Sequence, residues 1–407
     1  MRWRLFLVLA GLLAQAAPPS RRPDPRPSIL LILADDLGSR DLGPGIHLPS
    51  LARLAREGTT FSTALAAAPL CSPSRAGLLT GWHPARLGLT DNLGSTQGAA
   101  SLSYLPDEAP TLGEHLTTSG YRTGYVGKWH LGIGDAHPRF RGFPWTRAVN
   151  GAETPARAVA PFHGDRPSLQ DVPDLDDLPE GTPLMDGLEG WARAFLDDPD
   201  PRPFLLVVAP YGDTHEAVDR LTGALLNHLR SRRLEGRTLV IFTADHGGEE
   251  RTPSPLRGGK GTLQEGGLRV PLLLRGPGIP RGRTLTLPAS TLDLVPTLLQ
   301  LAGVTADPPP DGRSLRPPLA GRPLHPRDLC WHVPHPLGPG RPPMGAIRSG
   351  RLKLTQRLDL GDLTLVDLET DPGEARDLQP HHPKDAERLA AALARWRSAL
   401  GARMPGR

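Results

Sequence analysis

The sequence predicts an α/β fold: a large sheet, mixed but mainly parallel and flanked by helices, followed by a smaller C-terminal unit of antiparallel strands and a helix. Three observations predict it. Continuous apolar runs at Ser28–Ala34, at Phe204–Ala209 and from Thr238 to Thr243 suit strands buried on both faces, the pattern of parallel sheets. Between the last two, residues from Gly212 to Arg232 place Ala217, Leu221, Ala224, Leu225 and Leu229 at helical spacing, so strand, helix and strand form a parallel crossover. Late in the chain, Gly345 to Leu368 holds short strand-like pieces, and Pro383 to Leu400 has the pattern of a helix.

At the start, Met1-Arg2-Trp3-Arg4 precedes a short apolar run, Leu5 to Leu13, and an Ala14-Gln15-Ala16 cleavage-like site. This is the pattern of a secretory signal peptide, and its apolar run is shorter than the roughly 20 residues of an ordinary membrane span. Residues 1–17 are therefore expected to be a leader, and the Pro- and Arg-rich residues 18–27 a linker. No stable membrane span is expected in the mature protein, which is assigned to the periplasm or the exterior.

Next, the Ser28–Ala34 run ends in Asp35-Asp36-Leu37-Gly38, and in open α/β sheets ligands bind at that end of the strands. A helix from Pro49 to Arg56 follows, opened by Pro49 and stopped by Gly58. The strand beginning at Thr238 closes in a second polar cluster, Asp245-His246-Gly247-Gly248. Segments 151–183 and 306–343 are loop-like and Pro-rich, the second being the expected domain boundary. The chain then divides into a catalytic domain at 28–320 and a smaller domain at 321–407.

Charge excludes one class of function. The chain carries 47 basic against 43 acidic residues, with no run of five like charges, which disfavours nucleic-acid binding. Only four of the 47 basic residues are lysine: Lys128, Lys260, Lys353 and Lys384. A lysine kept in so Arg-rich a chain marks a need for a compact point charge. With Cys71 and Cys330 alone, at most one disulfide is possible.

Adjacent carboxylates at a buried strand end are costly unless a cation compensates them, and a hard divalent ion does so with oxygen ligands. Asp35 and Asp36 are such a pair, and Asp245-His246 closes another strand. The most specific stretch is Cys71-Ser72-Pro73-Ser74-Arg75, trailed by Leu79-Thr80-Gly81. It resembles the signature of the sulfatase family: a Cys, a Pro two residues on, an Arg, and a trailing Leu-Thr-Gly. The resemblance implies that a formylglycine-generating maturation enzyme oxidises Cys71, and that the hydrated aldehyde is the nucleophile. Such a hydrate carries two hydroxyls on one carbon, so one attacks sulfur and the other later expels sulfate. Arg75, one turn into the helix expected there, adds positive potential for an anionic substrate.

Two further stretches match the family. In Gly127-Lys128-Trp129-His130 the resemblance implies that Lys128 bridges formylglycine and sulfate, and that His130 aids sulfate release. Within Arg257-Gly258-Gly259-Lys260-Gly261, Lys260 corresponds to a lysine that binds sulfate and protonates the leaving oxygen, while Arg269 is expected in a structural ion pair. The implied metal site is Asp35, Asp36, Cys71, Asp245 and His246, holding Ca²⁺ or Mg²⁺, although an imidazole is softer than either prefers. The implied architecture is alkaline-phosphatase-like, and the implied substrate a sulfate ester, aryl or carbohydrate.

Late motifs are assigned structural roles. Asp367 to Glu374 is expected to serve packing and turn chemistry, and His332, His335, His381 and His382 to lie at the surface. Specificity is sought at Trp82, His83 and residues 134–165. One departure stands out: family members carry a loop with a substrate-contacting His past a position like Pro210, whereas here the helix follows Tyr211 almost at once, leaving His215 in helical register. Two rival readings are a phosphomonoester or phosphonate hydrolase of the same fold and a non-catalytic glycan-binding protein with an unmodified Cys71.

Overall fold

The computed structural model describes residues 24–43, 46–95, 101–150, 155, 157–163, 172, 175, 177–249 and 254–406. The expected leader at 1–17 and most of the expected linker lie outside these residues. The linker's described end has no regular structure, yet Arg26 donates to the Ser119 carbonyl at 2.8 Å and lies over the Tyr121 ring.

Among the described residues, eight strands form one sheet in the order Arg283–Leu285, Thr59–Phe61, Leu272–Arg275, Thr238–Ala244, Ser28–Ala34, Phe204–Ala209, Arg122–Gly127, Trp145–Arg147. The pairings are parallel except where Leu272–Arg275 lies antiparallel to both of its neighbours. Ser28–Ala34 sits between two parallel partners, and all seven of its residues are buried, which is why its sequence is apolar without alternation.

Register brings the chemistry together. Ala34 is level with Ala244, and Gly127 with Ala209, so the parallel strands end side by side. The residue after each of three of these strands is charged: Asp35, Asp245 and Lys128. Asp245 N–H still donates to the Ala34 carbonyl at 3.1 Å, and Lys128 N–H to that of Ala209 at 2.7 Å, so both side chains leave a rigid ladder. Gly127 has φ 99°, and a Cβ there would come within 2.1 Å of the Ala209 carbonyl oxygen. Only glycine permits this approach.

Helices cover the sheet. His215–Ser231 starts three residues later than expected, where the Thr214 hydroxyl accepts from Ala217 N–H at 3.2 Å. It packs on Leu184–Asp197 and on Pro49–Glu57. The latter begins after Leu48, which has no side-chain acceptor; instead Asp219 reaches across to accept from the Ser50 and Leu51 N–H groups at 3.1 and 2.8 Å.

The C-terminal unit is a four-stranded antiparallel sheet, Asp328–Val333, Met344–Ser349, Leu352–Arg357 and Leu363–Asp367, with Pro383–Leu400 across it. Leu389 and Leu393 pack there on Ile347, Leu354 and Leu365. The first strand falls inside the segment expected to be loop. Its apolar run, Leu329-Cys330-Trp331, is only three residues long and set among prolines, so it gives no periodic signal.

His332 and His335 correct a second expectation: both are buried, not at the surface. Each places Nε2 within 3.0 Å of a backbone carbonyl, Arg403 for His332 and Thr90 for His335. A neutral imidazole is as burial-tolerant as any polar ring once its N–H is satisfied, and burial pushes the His332 pKa down to about 4. His381 and His382 are exposed, as expected. Both cysteines are buried, and they form no disulfide with each other.

Candidate active site

Cys71 is the first residue of the Cys71–Thr80 helix, every residue of which is buried. Pro73 is the third helical residue, where a missing N–H costs nothing because no carbonyl precedes it in the helix. The Ser72 N–H finds Asn92 Oδ1 at 3.1 Å.

Five predicted residues meet at the Cys71 sulfur. His246 Nε2 is 3.1 Å from Sγ and Lys128 Nζ is 3.7 Å from it. Ligand atoms of Asp35, Cys71 and Asp245 lie within 4.8 Å of one another, as do those of Asp36, Cys71 and His246. Asp36 joins its neighbour Asp35 on this side because its backbone is left-handed, φ 56°, a conformation Asp tolerates better than most residues. Sγ here is the encoded thiol; it marks where the oxygens of a formylglycine would start.

Arg75 is wholly enclosed. It donates to Asp245 Oδ2 at 3.0 Å, Asp35 Oδ1 at 2.9 Å and the Lys128 carbonyl at 2.7 Å, so it fixes the two strand ends relative to the helix. Tyr125, missed in the sequence, donates to the same carbonyl at 2.6 Å. Lys128 Nζ sits on both Asp35 oxygens at 2.9 and 2.8 Å. His130 lies two residues on, nearly buried, with φ 55°. Lys260, on a Gly-rich loop, reaches Asp36 at 3.0 Å and keeps a quarter of its side chain exposed. Arg269 pairs with Glu265 at 2.6 Å, as expected.

Electrostatics separates the acids. Burial acts to raise the Asp35 pKa, but Lys128 and Arg75 hold it well below the usual carboxylate range. Asp245 goes the other way: burial raises it and outweighs His246 and Arg75, and Asp35 beside it adds to the rise. The Cys71 thiol is pushed well above its ordinary pKa by burial, then by Asp245 and Asp35. As encoded, Cys71 is thus a protonated thiol and a poor nucleophile.

The residues fit a hard dication. His246 Nδ1 is 2.9 Å from the Gly247 carbonyl, an acceptor, so Nδ1 carries a proton and Nε2 is the ring nitrogen turned inward. Nε2 lies 3.2 Å from Asp36 Oδ1 and 3.7 Å from Asp245 Oδ1. Carboxylate oxygens and an imidazole nitrogen that converge in this way suit a cation with oxygen and imidazole ligands.

Residues sought for specificity are dispersed. His83 is turned away from the site, into the seam with the C-terminal helix: its ring is 4.6 Å from that of Trp396 and its Nε2 is 2.6 Å from the Cys330 carbonyl. Trp82 is partly buried beneath Arg86. Of residues 134–165, 151–154, 156, 164 and 165 lie outside those described. His215 is the first residue of its helix and half-buried.

The Sulfatase family model matches residues 27–212 and 197–304. Arylsulfatase A of Bos taurus is 35% identical to the chain, with 92% of this chain and 86% of that protein aligned. N-acetylgalactosamine-6-sulfatase of Canis lupus familiaris is 33% identical, over 81% and 72% respectively. Among solved structures, Ps i-CgsB in complex with k-i-k-neocarrahexaose superposes with a TM-score of 0.80 at 27% identity, covering 91% of this chain and 93% of that one.

Proposed function

Because the chain belongs to the sulfatase family and is a sulfuric ester hydrolase, we propose that it acts on aryl or carbohydrate sulfate esters through a formylglycine made from Cys71, beside a Ca²⁺ or Mg²⁺ ion held by Asp35, Asp36, Asp245 and His246. The observation that carries this reading is the convergence of those ligand atoms on the buried Cys71, whose thiol burial and the neighbouring carboxylates push above its ordinary pKa. Formylglycine, as its hydrate, supplies one hydroxyl for attack and a second for expelling sulfate. The ion supplies charge for the sulfuryl oxygens and eases deprotonation of a neighbouring hydroxyl.

The chain's own groups do the rest. Asp245 takes the proton of the attacking hydroxyl, while Arg75 keeps its carboxylate in place. Lys128 and Lys260 face the sulfuryl oxygens, and Lys260 Nζ protonates the leaving oxygen. His130 assists as sulfate departs. The apolar run at Leu5 to Leu13 supports export to the periplasm or beyond, and no helix among the described residues is long and apolar enough to cross a membrane.

The test is a steady-state comparison of matched aryl sulfate and aryl phosphate esters. A higher kcat/KM for the sulfate is expected, and a clear phosphate preference would overturn the assignment.

A short connection from Ala209 to the helix at His215 supports a single leaving-group acid, Lys260. General acid help is commonly worth 10²–10⁴-fold, more for poor leaving groups. The expected result is a steep fall of kcat/KM as leaving-group pKa rises, steeper still in Lys260→Ala, with His215→Ala nearly silent. A flat dependence in the wild type, or a large defect in His215→Ala, would contradict it.

A further inference from the structure

Lys260 sits in Gly258-Gly259-Lys260-Gly261, a stretch with little intrinsic order. Its ammonium nevertheless reaches Asp36 at 3.0 Å. In the middle of the loop Lys260 N–H donates to the Gly248 carbonyl at 3.1 Å and Gly261 N–H to that of Pro69 at 2.8 Å, while the contacts of its two ends meet at one residue of the C-terminal unit.

That residue is Glu374. At the start of the loop, Arg257 donates to the Glu374 carbonyl at 3.2 Å. At its end, Glu265 N–H donates to Glu374 Oε1 at 3.0 Å. The same carboxylate takes Lys353 Nζ at 2.7 Å, and Lys353 also reaches Glu265 Oε1 at 3.2 Å. Lys353 and Glu265 are fully buried. Glu374 itself has φ 54°, uncommon outside glycine and tolerated where the surroundings dictate it. On the opposite side Arg40 donates to the Leu256 and Gly258 carbonyls, closing a frame around the loop.

Burying ions is a poor route to stability alone, since apolar groups of equal volume often do as well or better. A frame of fixed charges around a glycine-rich loop does define where that loop lies. We propose that Glu374 and Lys353 are positioning residues for Lys260, holding the loop so that Nζ meets the leaving oxygen; this rests on the role of Lys260 given above. The C-terminal unit then contributes to catalysis without touching substrate. A misplacement of about 1 Å in such a group can cost about 10²-fold in rate.

The test is a double-mutant cycle in the mature, metal-loaded full-length enzyme, with formylglycine occupancy verified, on an alkyl sulfate and on a nitrophenyl sulfate. Glu374→Ala leaves Lys353 paired with Glu265; isosteric Glu374→Gln is the second variant should the first not fold. Expected is a loss of about 10-fold or more in kcat for the alkyl sulfate, with KM little changed and the nitrophenyl ester nearly spared. In a Lys260→Ala background the same substitution should add less than about 3-fold, because its route is already gone. Equal losses in both backgrounds, with Lys260→Ala itself costly, would overturn the positioning role and leave the function intact. Should Lys260→Ala alone have no effect on either ester, the role of Lys260 fails and the positioning role falls with it.

Discussion

Cys71→Ala is expected to reduce kcat on any sulfate ester by on the order of 10⁴-fold or more, because it deletes the group from which the nucleophile is made. The size follows from the absence of a substitute. Ser72 and Ser74 are buried, and Ser74 Oγ is engaged with the Asp245 carbonyl. Stability should change little, since alanine at the first helical position keeps a good helix former and loses one sulfur. Metal affinity should persist, as Asp35, Asp36, Asp245 and His246 remain. Steady-state kinetics, thermal melting and calorimetric titration with Ca²⁺ and Mg²⁺ check the three parts. Activity within tenfold of wild type would mean that another group attacks.

Glu265→Ala is expected to destabilise the fold by about 3–5 kcal/mol, the usual cost of leaving a buried charge without its partner. Lys353, Arg269 and Arg348 all face this one carboxylate, at 3.2, 2.6 and 3.3 Å. Burial opposes its ionisation, but Lys353, Arg269 and Arg348 together bring the pKa down to about 2 from 4.5. A depressed carboxyl pKa contributes stability that is present above about 4.5 and lost as pH falls through about 2. By linkage the contribution is about 3 kcal/mol, in line with the mutational figure. Denaturant midpoints of the wild type and Glu265→Gln should therefore differ clearly at pH 7 and converge as pH is lowered towards 2. A gap that stays constant across that window would show that the charge of Glu265 is not what stabilises the seam.

How far the sequence speaks depends on whether a signal is local. The Ser28–Ala34, Phe204–Ala209 and Thr238–Ala244 strands are legible because burial on both faces writes an unbroken apolar run. The Pro383–Leu400 helix is legible to the residue, being opened by a proline and closed by Gly401. Cys71, Lys128 and Lys260 stand out because each lies in a contiguous motif of unusual composition. Strands of two or three residues, such as Thr59–Phe61 and Ala64–Leu65, have no period to detect. The reversal of Leu272–Arg275 inside a parallel sheet is equally silent. Long-range pairing is the other blind spot: Lys353 meets Glu265 across 88 residues and Glu374 meets Glu265 across 109. The rarity of lysine did flag Lys353 as a point charge of value, and its partner lay in the stretch expected only to pack and turn. Arg75 was legible as a residue of the site but not in its placement, since the sequence does not reveal that its guanidinium is closed off between two aspartates and a carbonyl.

The central claim is that the encoded thiol is not the working nucleophile, and a mass spectrum of the peptide spanning Cys71 tests it most directly. Protein made in a host competent for maturation should yield that peptide lighter by the difference between a CH2–SH and a CHO group, with the converted fraction scaling with specific activity across preparations. A fully active preparation whose Cys71 peptide retains an alkylatable thiol would contradict the account.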